Sequence, residues 1–326
     1  MIFSTISYKL RWKAWLLQIV WMQIYRSDKK ISEEDDLGYQ TLITTDMLAQ
    51  SLHAPGCVIL DCRFSLVDAD YGLREYASAH IPGAIYAHLD IDLCGPMIKG
   101  VTGRHPLPSP VHAEAVFSRW GIEPGVQVVA YDDQAGALAA ARAWWLLRWL
   151  GHMDAAVLDG GWQAWSRTHL PVKAGIETGS PGRFRAKIHP DLVVTAEQVN
   201  LMRLDPAFRL FDSRLPERYA GIVEPIDPVA GHILGAYSAP YSANLTSEGT
   251  FQTPENLRVR FERLLEGVPA ERSVFYCGSV VTATHNILAM LRAGLGESRL
   301  YAGSWSEWIV DRQRPIAVGE QPASDP

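Results

Sequence analysis

Ser273-Val274-Phe275-Tyr276-Cys277-Gly278-Ser279-Val280-Val281-Thr282-Ala283 is the stretch on which the fold class turns. The apolar run Val274 to Tyr276 predicts a buried strand. It stops at a cysteine, small and hydroxyl residues follow, and an apolar helical pattern runs from about Ala283 to Leu295. Strand, cysteine, tight loop and helix make a thiol reactive. Loop N–H groups converge on the sulfur, and the positive end of the helix dipole favours the thiolate. A lone cysteine is ordinarily a buried structural thiol, so the weight falls on the rest of the chain.

That rest is a duplication. Val58-Ile59-Leu60-Asp61-Cys62-Arg63 matches Arg209-Leu210-Phe211-Asp212-Ser213-Arg214, and His80-Ile81-Pro82-Gly83-Ala84 matches His232-Ile233-Leu234-Gly235-Ala236. Val128-Val129-Ala130-Tyr131-Asp132 matches Val274-Phe275-Tyr276-Cys277, and Asp159-Gly160-Gly161-Trp162 matches Ala302-Gly303-Ser304-Trp305. Order and spacing are kept, and the period is too long for a solenoid, so two domains of one fold are expected. Short β-branched strands alternate with helices in each half, which predicts an α/β layer structure with a largely parallel sheet. In such sheets sites collect at the carboxyl ends of strands, where Cys277 falls. The expected divisions are an extension at 1–38 outside the fold, a first domain at 39–170, a linker at 171–190, a second domain at 191–318 and a tail at 319–326. The stretch Gly95 to Pro110, with Thr102-Gly103-Arg104-His105-Pro106, reads as a long ordered loop wrapped over the first domain.

Composition narrows the function classes. A net charge of −6 and the lack of a basic tract argue against nucleic-acid binding. Cys57, Cys62, Cys94 and Cys277 are too few and scattered for a disulfide framework, which fits a reducing, cytoplasmic setting. No nucleotide loop, metal-ligand cluster or cofactor motif is present in the sequence. Near the start, Lys9, Arg11 and Lys13 precede an apolar run from Ala14 to Tyr25. It lacks a small-residue cleavage site and is short for a bilayer span. It reads as a peripheral extension; the alternatives are an amphipathic helix on a membrane or on the protein, and a start codon assigned too far upstream.

Taken together, the Asp-x-Arg strand ends at Asp61 and Asp212, the His80 motif, Gly303-Ser304-Trp305-Ser306-Glu307-Trp308 and the Cys277 loop resemble the tandem-domain rhodanese (sulfurtransferase) family. The resemblance spans roughly Tyr39 to Val318. It implies two copies of a mostly parallel five-stranded sheet flanked by helices, with the catalytic cysteine only in the second. It implies a reaction in which Cys277 takes a sulfane sulfur from a small anionic donor as a persulfide. The sulfur then passes to cyanide or to a thiol such as thioredoxin. Asp132 stands where the second copy has Cys277 and cannot carry sulfur, so the first domain is expected to be non-catalytic.

The loop residues Gly278, Val280, Val281 and Thr282 are expected to cradle the sulfur and its donor. Anionic donors need a fixed cation; Arg214 is the first candidate, with an ion pair to a nearby carboxylate as its other account, and Arg218 the second, against a solvated helix-face role. Thiosulfate-preferring relatives carry basic residues just after the cysteine, where this chain has Gly278 and Ser279. That resembles the 3-mercaptopyruvate branch, with a thiosulfate-preferring enzyme or a low-activity sulfur carrier as alternatives. The branch implies that Ser279 joins a histidine and an aspartate of the first domain in polarising the substrate carbonyl, for which His80 and Asp70 are the matching positions. Ser279 as a helix cap and His80 as the brace of a turn are the competing accounts. Two positions depart from the branch pattern. Val280 replaces a glycine, and a β-branched residue is strained if φ is positive there. Ile226 follows Glu224-Pro225 where an arginine is frequent, so one anion contact is expected to be missing. A cysteine-dependent protein phosphatase of related fold would need an arginine in the loop, and none lies between Cys277 and Asn286.

Overall fold

The computed structural model describes residues 39–52 and 55–320; the expected extension and most of the expected tail lie outside them. The first half carries β1 (Leu42–Ile43), β2 (Cys57–Asp61), β3 (Ala84–Tyr86), β4 (Gln127–Tyr131) and β5 (Ala155–Leu158). The second carries β6 (Val193–Val194), β7 (Arg209–Asp212), β8 (His232–Ile233), β9 (Tyr237–Ser238), β10 (Ser273–Tyr276), β11 (Arg299–Tyr301) and β12 (Ile316–Ala317). One sheet runs in the order β1-β5-β4-β2-β3 and the other β6-β11-β10-β7-β9. Every pairing within the two sheets is parallel, so the sheets are wholly rather than mostly parallel. The topology is the same in both, and β8 pairs antiparallel with β12 outside them. Parallel neighbours require crossovers, and helices such as Tyr71–Ser78, Pro110–Arg119 and Pro254–Leu265 provide them.

The helix following each central strand ties the halves together. Ala140–Trp149 is buried along its whole length, and Thr282–Arg292 along Ala283 to Met290. A helix buried on all sides has a core partner on every face, and these two pack on each other. One hydrophobic core therefore runs across both halves, from Val128 and Leu146 to Phe275 and Leu288. Across this shared core the first half can deliver side chains to the carboxyl end of β10.

The Gly95-to-Pro110 stretch does not stay on the first domain. Gly103 abuts the second: a Cβ there would lie 2.5 Å from the Gly303 carbonyl oxygen. The backbone N–H of Arg104 donates to Ser306 Oγ at 3.1 Å. Only glycine allows so close an approach, and it sets the neighbouring Arg104 and His105 at the edge of the Cys277 loop.

Candidate active site

Cys277 follows the last residue of β10 and is 2 % exposed. Its Sγ accepts the Val281 N–H at 3.2 Å, at the N-cap of the Thr282–Arg292 helix. The loop is pinned by a serine from the Ser304–Trp308 helix that follows β11: Ser304 Oγ accepts the N–H groups of Cys277 and of Val280, both at 3.2 Å. Val280 has φ +63°, the left-handed region that disfavours a β-branched residue by about 1–3 kcal/mol. Its carbonyl accepts from Nη1 of Arg142, a fully buried side chain of the first half, at 3.1 Å. Arg142 also donates to the carbonyls of Leu93, His105 and Pro106. One cation thus fixes the strained loop and the His105 segment in a common frame.

With N–H and carbonyl of Val280 both held, the loop reaches its positive φ despite the side chain. The strain therefore weighs on stability rather than on cradle shape. Val280→Gly relieves it but removes a fully buried side chain worth roughly 1.5–3 kcal/mol. It is expected to leave stability within about 1 kcal/mol of wild type and turnover within about threefold, checked by denaturant melts and initial rates. A gain of tenfold would show that strain distorts the site.

The first half contains the same loop with a different occupant. Ala135, three residues after Asp132 as Val280 is after Cys277, has φ +54°. The Asp132 carboxylate fills the cradle, accepting N–H groups of Gln134, Gly136, Leu138, Ala139 and Ala140 at 2.8–3.1 Å. Burial leaves this carboxyl above its ordinary value, although the N–H bonds of Gln134, Ala140 and Gly136 pull it down. The duplicated loop is thus a binding site for a negative group.

Ser279 does not cap the helix that follows; Val281 holds the N-cap position, without a side-chain bond. Ser279 Oγ lies 2.8 Å from Nδ1 of His105, whose Nε2 is 3.2 Å from Asp90 Oδ1. The carboxylate accepts from Nε2–H, which leaves Nδ1 to accept the Ser279 hydroxyl proton. Burial holds the His105 imidazole below its ordinary value, partly offset by Asp90. Its hydrogen bond to His105 lowers the Asp90 carboxyl. The expected serine–histidine–aspartate chain is present, but with His105 and Asp90.

His80 and Asp70 are not its members. His80 is fully buried, bonded through Nδ1 to the Tyr76 carbonyl at 2.8 Å and stacked on Tyr76 at 4.3 Å. His232, its repeat partner, makes the same bond to the Tyr219 carbonyl and stacks on Tyr219 at 3.8 Å. A contact made identically in both halves braces the fold. Asp70 sits at the N-cap of the Tyr71–Ser78 helix with its carboxylate exposed.

Arg214 is likewise scaffold. Its N–H groups go to Asp212 at 2.6–3.0 Å, Glu224 at 3.1 Å and the Gly231 carbonyl at 2.6 Å, and it lies over Trp305 at 4.9 Å. Arg63 repeats the arrangement with Asp61, the Ala79 carbonyl and Trp162. Four of its five guanidinium N–H donors are engaged and the side chain is buried, which favours the ion-pair account over substrate contact.

Arg218 does reach the loop: a Cβ on Gly278 would be 3.5 Å from its Nη1 and Nη2. Arg104, which sequence reasoning passed over as a loop residue, comes closer. The same Cβ would be 2.9 Å from its Nη2, which also lies 3.4 Å from Ser279 Oγ. Among the described residues no cluster of three or more His, Cys, Asp or Glu could hold a metal ion, and no helix is long and apolar enough to cross a membrane.

The model of the rhodanese-like domain matches residues 44–168 and again 195–311. A probable 3-mercaptopyruvate sulfurtransferase of Pseudomonas aeruginosa is 49% identical over 280 residues, covering 86% of this chain and 98% of that one. A putative thiosulfate sulfurtransferase of Mycobacterium tuberculosis is 38% identical over 86% of this chain and 98% of its own length. Among solved structures, the 3-mercaptopyruvate sulfurtransferase of Leishmania major superposes with a TM-score of 0.71 at 31% identity, covering 82% of this chain and 74% of that one. Two copies of one parallel α/β unit, a cysteine after β10 where its counterpart β4 is followed by Asp132, and these matches over nearly the whole described chain lead to one conclusion: the chain belongs to the tandem-domain rhodanese family.

Proposed function

We propose that this chain is a sulfurtransferase that takes sulfur from 3-mercaptopyruvate as a persulfide on Cys277 and passes it to a thiol such as thioredoxin, or to cyanide. The observation that carries the donor choice is the Ser279–His105–Asp90 chain beside the cysteine loop. The Cys277 thiolate attacks the donor's sulfur. The sulfur–carbon bond breaks and its electron pair moves into the carbonyl, giving the enolate of pyruvate, which takes up a proton. On donor binding the Ser279 hydroxyl turns its one proton from His105 Nδ1 to the oxygen where that charge develops. Thiosulfate has no carbonyl and would make no use of the chain. The new persulfide anion lies in a cradle of the kind that Asp132 fills in the first half. A nucleophilic acceptor then takes the outer sulfur and restores the thiolate.

Residues 39–170 and 191–318 are the two domains of this reading, joined by the linker at 171–190. The loop residues Gly278, Val280, Val281 and Thr282 form the cradle. All four cysteines are unpaired, which supports a reducing compartment such as the cytoplasm.

Side-by-side turnover with the two donors tests the reading. We expect kcat/KM for 3-mercaptopyruvate to exceed that for thiosulfate by at least about tenfold. Ser279→Ala is expected to lower 3-mercaptopyruvate turnover by about 10²-fold and to leave thiosulfate turnover within about threefold. A wild-type preference for thiosulfate, or equal losses with both donors, would overturn the assignment.

A further inference from the structure

Two guanidiniums of different origin flank Gly278. Arg218 belongs to the second half; Arg104 is brought from the first by the Gly103 contact. Both bind one carboxylate: Arg104 Nη1 pairs with Asp227 Oδ1, and Arg218 Nη2 with Asp227 Oδ2 at 3.2 Å. Arg218 is further held by Glu224 at 2.7 Å. Arg104 is less committed. Its Nε is buried without a hydrogen-bond partner, and its bond to Ser279 is long at 3.4 Å. An under-used planar donor set beside the nucleophile suits an oxyanion.

The charge inventory is also informative. Around the loop Arg104, Arg214 and Arg218 face Asp212, Glu224 and Asp227. The cluster is neutral before a donor enters, and its carboxylates are almost fully buried. A carboxylate of single charge adds less repulsion there than a dianion does.

We propose that Arg104 is the second donor-binding cation of the site, gripping the donor's carboxylate together with Arg218, and that Asp227 sets the preference for singly over doubly charged donors. Arg104 supplies from the first domain the contact that Ile226 cannot make. Asp227 orients both guanidiniums and offsets the positive charge a dianion would need.

This inference rests on the sulfurtransferase reading, and the experiment separates their failures. Steady-state KM and kcat are measured with 3-mercaptopyruvate and with thiosulfate for wild type, Arg104→Ala, Arg104→Lys and Asp227→Asn, with melting curves for each. Losing a charge-assisted hydrogen bond is expected to raise KM for 3-mercaptopyruvate about 10- to 100-fold in Arg104→Ala, with kcat within about threefold. Arg104→Lys should recover part of that loss. Asp227→Asn, near-isosteric, should raise kcat/KM for thiosulfate relative to 3-mercaptopyruvate by about tenfold. An unchanged KM in Arg104→Ala, or a loss confined to kcat, would mark Arg104 as a brace for His105 and overturn the proposal. An unchanged donor ratio in Asp227→Asn would overturn the charge assignment, whether or not Arg104→Ala folds. A wild-type protein that takes up no sulfur from either donor fails the enzymatic reading itself.

Discussion

Cys277→Ala is expected to lower sulfur transfer from both 3-mercaptopyruvate and thiosulfate by at least about 10⁴-fold, the scale seen when a covalent nucleophile is removed. The fold should survive. Cys277 contributes one sulfur to the core, and the N–H of residue 277 still reaches Ser304 Oγ after the change. No other thiol can stand in. Burial pushes Cys57 and Cys94 up to about 11 each and raises Cys62 well above its ordinary value. All three are therefore protonated at neutral pH, and a thiol is a poor nucleophile. Cys277→Ser gives a second arm, since it keeps an acceptor for the Val281 N–H but cannot carry sulfane sulfur. Mass measurement after incubation with donor should show a one-sulfur adduct on wild type and none on either variant. Residual turnover above about 1% of wild type in both would place the chemistry elsewhere. An adduct on wild type without turnover would instead favour a sulfur carrier.

The strands, the main helices and the duplication were legible because each leaves a periodic or repeated trace. The predicted strand at Val274 to Tyr276 is observed with one added residue, Ser273. The helix expected from Ala283 to Leu295 runs over Thr282–Arg292. The residues that meet Ser279 were not legible, for a physical reason. What recurs in both halves is what both need to fold. Asp-x-Arg closes on a tryptophan in each half, and His80 and His232 stack on a tyrosine in each. Reading the site from recurring motifs therefore returned scaffold in His80 and Arg214. The residues that meet Ser279 come from one half only. Arg104 and His105 stand in an irregular loop, some 175 positions away in sequence. Their signal was the lack of a counterpart to Thr102-Gly103-Arg104-His105-Pro106 in the second half. A long segment kept in one copy alone, with a glycine before two basic residues, is a segment that the other copy needs.

The second large effect lies where no chemistry occurs. Asp132→Ala is expected to destabilise the protein by at least about 3 kcal/mol, because it strips the acceptor from buried backbone donors that each cost roughly 1–3 kcal/mol when left unpaired. Five N–H groups converge on that carboxylate, and among the described residues no other side chain accepts from them. For a chain of this size the loss corresponds to a fall in Tm of roughly 6–12 °C, read by calorimetry. Asp132→Asn should fall between wild type and alanine, since one oxygen still accepts while the amide NH₂ meets donors. The order follows from the duplication. On the proposed mechanism the same loop after β10 leaves room for a sulfur that gains and loses charge during turnover, whereas the loop after β4 is filled permanently by a carboxylate. One cradle is thus committed to stability and the other is kept for a transient anion. If Asp132→Ala melted within 1 kcal/mol of wild type, the first cradle would be shown not to need its anion. The second cradle would then have no structural precedent as the holder of a persulfide anion.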